Sequence, residues 1–289
     1  SLIFYDSMLV DITTEDRMDN VSSKGYAWGY IGSCIPFLIS LVFVLLYETL
    51  GISLSMAMMI AFVINALWWI GFTLPLAFHY KQKYYIEPKT HPVKDTFVRL
   101  YKTLKDARQQ KKVFLFLLAF FFFIDGVYTI IDMATAYGTS LGLDTTGLLL
   151  ALLVTQIVAF PASLTFAILS KKQDAGKLIK ICIVAYFCIA VFAIQLDKQW
   201  EFWLLAVAVG CFQGGIQALS RSYFAKIIPE NASGEYFGLF DICGKGASFL
   251  GTFLIGFVTQ LTGHQNLGVA AISIMFLIGL YFFNKVTKL

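Results

Sequence analysis

Apolar residues run almost unbroken through eight stretches of this chain, at about 26–47, 52–79, 113–137, 147–169, 178–196, 202–220, 236–260 and 267–284. Each can cross a hydrocarbon layer of ~30 Å as a helix, upright or tilted. None alternates as a barrel strand does, and irregular backbone cannot face lipid, so the pattern predicts eight helical spans. A shorter apolar stub of about ten residues, Ser1 to Val10, stands before them, half of what a span needs. It is expected to be the inner end of a further helix.

Composition removes the competing classes. Of 289 residues, 58% are hydrophobic and 14% charged, against ~25% charged in a soluble domain. With 28 Phe and 6 Pro, disordered, collagen-like and coiled-coil chains are excluded too. The five cysteines lie inside apolar runs without metal-type spacing and read as small core hydrophobes. His79, His91 and His264 are too scattered for a metal site.

Charge then orients the spans. Twenty of the twenty-two Lys and Arg fall on one set of alternate loops, ten of them in the 80–112 link; the opposite loops hold only Lys198, and Lys245 lies inside a span. The positive-inside rule makes the basic side cytoplasmic, with the C-terminus and the central loop on it. The link reads as a solvated charged linker attracted to anionic lipid, in preference to an amphipathic surface helix, which Val98, Tyr101, Leu104 and Lys105 would permit, or a nucleic-acid arm.

Two turns on the basic side look alike. FYDSMLVDITTEDRMDNVSSKGYAWGYIGSCIPF from Phe4 and RSYFAKIIPENASGEYFGLFDICGKGASFLGTF from Arg221 each lead through an acidic, Ser/Asn-containing turn into a Gly-spaced helix. Placing Gly25 against Gly238 brings them into register six spans apart. Six-helix repeats build the major facilitator fold, with a site near the midplane between two halves. The expectation is therefore an all-α membrane protein carrying the end of helix 4 through helix 12 of a twelve-helix parent. Residues 1–79 would end the N-terminal half, 80–112 form the cytoplasmic loop and 113–289 form the C-terminal half.

The stretches FQGGIQALSRSYFAKIIPENASGEYFGLFDICGKGASFLG, AYGTSLGLDTTGLLLALLVTQIVAFPASL and DITTEDRMDNVSSKGYAWGYIGS together resemble the uncharacterised major facilitator family, related to the autophagy-associated vacuolar amino-acid effluxers of fungi. The resemblance covers essentially the whole chain and implies solute transport, with efflux of amino acids as in the fungal relatives. One departure concerns the turn between helices eight and nine. Many facilitators carry DRxGRR there, whereas LSKKQDAGKL has Lys171, Lys172 and Gly176 but no Asp before the basic pair.

Ionisable groups inside spans are costly and are functional candidates by default. At ~1.5 Å of rise per residue, Asn65, Asp125, Gln156, Gln213 and Lys245 come near the midplane on five helices. Gln217 shares a face with Gln213, and the amides suit a zwitterionic solute or simply bind helix to helix. Asp125 could carry a coupling proton or be a structural acid, and Asp132, seven residues on, could line an outer vestibule. Asp241 and Lys245, at i and i+4, can neutralise one another and lock an inner gate; Arg221 snorkels or clamps the inner turn. The Gly25, Gly29, Gly32 and Gly238, Gly244, Gly251 series suggest close helix approach.

These features favour a monomeric secondary transporter in a bacterial plasma membrane, moving a small solute by alternating access, with a proton or sodium as coupling ion. A channel-like or non-transporting membrane protein is the alternative. GKG at Gly244 lacks the spacing and hydroxyl of a phosphate loop, and no enzyme cofactor or metal is expected.

Overall fold

The computed structural model describes residues 2–84 and 92–289; Ser1 and the 85–91 part of the link lie outside the described residues. Among the described residues ten α-helices follow one another: α1 Leu2–Ile12, α2 Met18–Leu45, α3 Leu54–His79, α4 Pro92–Gln109, α5 Lys111–Ser140, α6 Thr145–Leu169, α7 Ala175–Ala193, α8 Gln199–Ile227, α9 Ser233–Thr262 and α10 Gln265–Val286. Among the described residues, eight helices are long and apolar enough to cross a membrane, and they fall on the eight apolar stretches of the sequence.

Helix starts follow from side chains that accept otherwise orphaned amides. Ser53 accepts from the Met56 amide at 3.2 Å, and Asp144 from Gly147 at 2.6 Å. Asp174, in the turn that lacks the facilitator acid, accepts from Lys177 at 3.1 Å and starts α7. Gly263, at φ 72°, closes α9 in the left-handed conformation that glycine adopts without strain.

The helices α2 and α8 overrun their apolar stretches, beginning at Met18 and ending at Ile227. The cause is mutual burial: Ser22, Ser23, Ser220, Arg221 and Ser222 are all buried where these helices meet near their ends. Helical backbone needs no apolar side chain to satisfy its own hydrogen bonds.

The larger buried cluster joins α5, α7, α8, α9 and α10, with Phe116, Phe120, Phe224, Phe237 and Phe283 fully buried, and a smaller one gathers around Tyr137, Leu148 and Phe202. The Phe120 and Phe240 rings stack at 4.0 Å, and Phe224 stacks on both Phe240 and Phe116. Lipid tails are as apolar as Leu, so such close packing, rather than escape from water, holds the spans together. Against this group α2 packs on α6 and α8, α1 on α8 and α9, and α3 on α2.

Three expectations change. Residues 92–109 of the link form a helix with one face against the bundle, so this part is not a solvated linker: Thr103 and Ala107 are buried. The glycine series does not act uniformly, since a Cβ at Gly251 would meet Thr129 Oγ1 at 2.1 Å while Gly29, Gly32 and Gly238 face open space. Among the cysteines, Cys34 and Cys182 are buried but Cys188 is exposed, because α7 turns that side out of the bundle.

Candidate functional site

At the basic end of the bundle, Arg221 of α8 reaches across to α1 and α2. Its Nη1 lies 3.2 Å from Asp6 Oδ1, its Nε donates to Ser22 Oγ at 3.0 Å, and its Nη2 donates to the Ser22 carbonyl at 3.4 Å. The rings of Tyr5 and Tyr26 each flank the guanidinium at 5.0 Å. Ser22 Oγ in turn donates to the Ala218 carbonyl at 2.7 Å. Only 4% of the Arg221 side chain is exposed, a position tolerable for a cation because donors, counter-ion and ring faces are all matched.

One turn further out, Lys226 Nζ pairs with Asp19 Oδ2 at 2.6 Å, again between α8 and α2. A third tie lies beside the end of α1. Asp11 accepts from the Lys83 and Tyr84 amides, both at 3.1 Å, and from the Tyr80 hydroxyl. The Tyr84 hydroxyl donates to Glu230, in the short 3-10 turn Glu230–Ala232 before α9. Burial first, and then the Asp11 hydrogen bond, raises the Tyr80 phenol above its ordinary range, so it stays a donor at physiological pH.

Deeper in the bundle, polar side chains of α2, α6 and α8 converge. The Tyr30 hydroxyl donates to Gln217 Oε1 at 2.9 Å, Gln213 Nε2 approaches Gln156 Oε1 at 3.4 Å, and Gln156 Nε2 approaches Ser33 Oγ at 3.4 Å. The Gly214 backbone makes this possible, since a Cβ there would meet Ser163 Oγ at 1.7 Å. Two of these bonds are long and Ser163 Oγ is buried without a partner, so the junction holds polar capacity that it does not spend on itself. Gln213 also borders a mostly apolar cavity of about 100 Å³ among α5 to α10, touching Thr129 and Tyr137.

Asp125 is fully buried between α5 and α9. Its Oδ1 accepts from the Gly251 amide at 2.9 Å and the Thr129 hydroxyl at 3.3 Å, while Oδ2 has no partner. Asp132, two turns along α5, is exposed. Lys245 bonds Asp241 at 2.6 Å within α9, and its side chain is 63% exposed. Asn65 is exposed on α3, donating to Ala61 O and Ser40 Oγ.

Of the residues singled out by sequence, Gln156, Gln213 and Gln217 thus share one junction, Arg221 lies on the same helix two turns inward, and Asp125, Asp132, Asn65 and the Asp241–Lys245 pair stand apart. Sequence reasoning missed Asp6, Ser22, Tyr26, Asp19 and Lys226. An acid inside the apolar stub was the available signal for the first, since such a group demands a partner.

The family model described as "Vacuole effluxer Atg22 like" matches residues 9–288. An "Uncharacterized MFS-type transporter YxiO" of Bacillus subtilis (strain 168) is 46% identical over 280 residues, covering 96% of this chain and 65% of that protein. "Autophagy-related protein 22" of Yarrowia lipolytica (strain CLIB 122 / E 150) is 29% identical over 89% of the chain and 49% of its own length, and its Coccidioides immitis (strain RS) counterpart is 27% identical over 89% and 46%. The chain therefore spans about two thirds of the bacterial relative and about half of the fungal ones. With the family model matched along nearly its whole length, this multi-pass membrane chain belongs to the Atg22-like vacuole effluxer family.

Proposed function

We propose that the chain is the larger part of a major facilitator transporter that moves a small solute by alternating access. Membership of its family, rather than any missing residue, sets the enzyme reading aside. In this reading α1 is the end of helix 4, α2 and α3 are helices 5 and 6, and α5 to α10 are helices 7 to 12. The halves are then 1–79 and 113–289, joined through 80–112. The packing of α2 on α6 and α8 supports this pairing across the halves. By the charge of its loops the basic side is cytoplasmic, in a bacterial plasma membrane.

One observation carries the reading. The two ion pairs from α8, Arg221–Asp6 and Lys226–Asp19, cross between the proposed halves, and among the described residues such pairs occur at one end only. In this reading they would form a gate that must break for the solute to pass, closed toward the cytoplasmic side. Above it Gln156, Gln213 and Gln217 would receive the solute, with donors and acceptors in equal supply. Asp125, which has no cationic partner among the described residues, would carry a coupling proton; sodium is the alternative. Lys245 and Asp241 would bear on the gate, with Asp132 and Asn65 outside the binding junction, and the protein would act as a monomer.

Amino acids, the class implied by the resemblance, are the first solutes to test. The full-length protein in proteoliposomes should give saturable amino-acid flux, competed by the preferred members and abolished by Gln213→Ala with Gln217→Ala. Single-channel currents, or flux that never saturates, would favour the channel-like alternative.

A further inference from the structure

We infer that α4 is a docking surface for anionic membrane lipid. One residue separates its end at Gln109 from the start of α5 at Lys111. Because α5 spans, the end of α4 lies at the membrane boundary. It cannot span itself: its sequence, PVKDTFVRLYKTLKDARQ, is charged throughout.

The two sides of the helix differ. On one, Thr103 donates to Glu235 of α9, Ala107 is buried, and the following Gln110 donates to Tyr236 at 3.0 Å. These contacts fix the rotation of α4. The other side then presents Phe97 and Tyr101, about 70% exposed, with Val98 and Leu104. At 100° per residue these four fall within one arc, and the exposed Lys105 and Arg108 project from among them, with Lys102 at the edge.

Rings and aliphatic carbons beside long cationic side chains match the boundary between acyl chains and phosphate, where the stems bury and the charges reach anionic oxygens. Between positions 96 and 112 six basic residues face one acid, Asp106, so a second copy of the same surface would be repelled and an anionic one attracted. The inference does not depend on which leaflet is cytoplasmic.

The test uses the full chain in nanodiscs containing a photoactivatable phosphatidylglycerol or phosphatidylcholine, with adducts mapped by mass spectrometry. Labelling of 97–108 should favour phosphatidylglycerol by about tenfold, a modest value for three cations at ~1 kcal/mol each. In Lys102→Gln/Lys105→Gln/Arg108→Gln the preference should fall toward parity while α3 remains labelled equally by both lipids. All three side chains are exposed, so the variant is expected to melt with the parent, and labelling of α3 reports that the spans remain inserted. Equal labelling by both lipids in the parent, absence of adducts on α4, or a protein–protein adduct there would each overturn the inference.

Discussion

Replacing Asp6 by Asn tests the proposed gate most directly. The change keeps shape and removes the carboxylate paired with Arg221, whose side chain is 4% exposed in a pair whose acid is 12% exposed. Removing one partner of a buried pair costs ~3–5 kcal/mol, because the remaining charge is left uncompensated. Here the low end applies. The Asp6 contact is a single one at 3.2 Å, and Arg221 keeps two bonds to Ser22 and two ring faces. With the gate open both groups would be hydrated, where a pair is worth only ~0–1 kcal/mol. The closed state should thus lose about 3 kcal/mol relative to the open one, or roughly a hundredfold in population. Hydrogen exchange of the full-length protein in nanodiscs reads this as faster exchange at the Thr13–Arg17 turn and the first turns of α2. Adding Arg221→Gln should recover much of the protection, since no buried charge then remains. Exchange identical to the parent in the single variant, or a double variant that adds the two losses, would refute the reasoning.

Three further outcomes follow from other contacts. Asp19→Asn should open the gate less, by about 1 kcal/mol, because Lys226 is 23% exposed and can rehydrate; raising salt should shrink the effect further, visible in the same exchange measurement. Asp125→Asn keeps an oxygen for the Gly251 amide and Thr129, so it should melt within ~1 kcal/mol of the parent while solute flux in proteoliposomes is lost; unchanged flux and unchanged pH dependence would remove Asp125 from the mechanism. Gly251→Ala would drive a methyl group into Thr129 and Asp125 and should cost ~1–3 kcal/mol, whereas Gly29→Ala, facing open space, should leave the melting midpoint unchanged.

The spans were legible because a bilayer imposes a length that local composition must meet, and all eight apolar stretches became helices. Their ends were not, and the reason is visible at Ser22, Ser23, Arg221 and Ser222. Hydropathy treats these as residues returning to water, but all four are buried, and Arg221 reaches Ser22 across 199 positions of chain. No window along the sequence contains that partner. The preferred reading of the link, a solvated charged linker, failed for a related reason, since its charge total hid the three positions, Thr103, Ala107 and Gln110, that seat α4 on α5 and α9.

For the polar candidates the division runs between depth and direction. Depth follows from counting ~1.5 Å per residue, and on that count Asn65, Gln156 and Gln213 were equivalent. Direction depends on which helix lies alongside. Gln156 and Gln213 face one another because Gly210 and Gly214 let α6 and α8 approach, whereas Asn65 sits on a helix packed mainly against α2 and turns outward. Asp241 and Lys245 formed their pair as expected because i and i+4 fix direction within one helix. The same locality limits that pair as a gate in the present conformation: with both charges on α9, it ties no second helix, and among the described residues the ion pairs that do cross are those of Arg221 and Lys226. A gate between two bodies requires charges from both, so the more informative sequence signal is a lone acid in an apolar stretch with no local cation, as at Asp6, which a membrane tolerates only if another helix brings the partner.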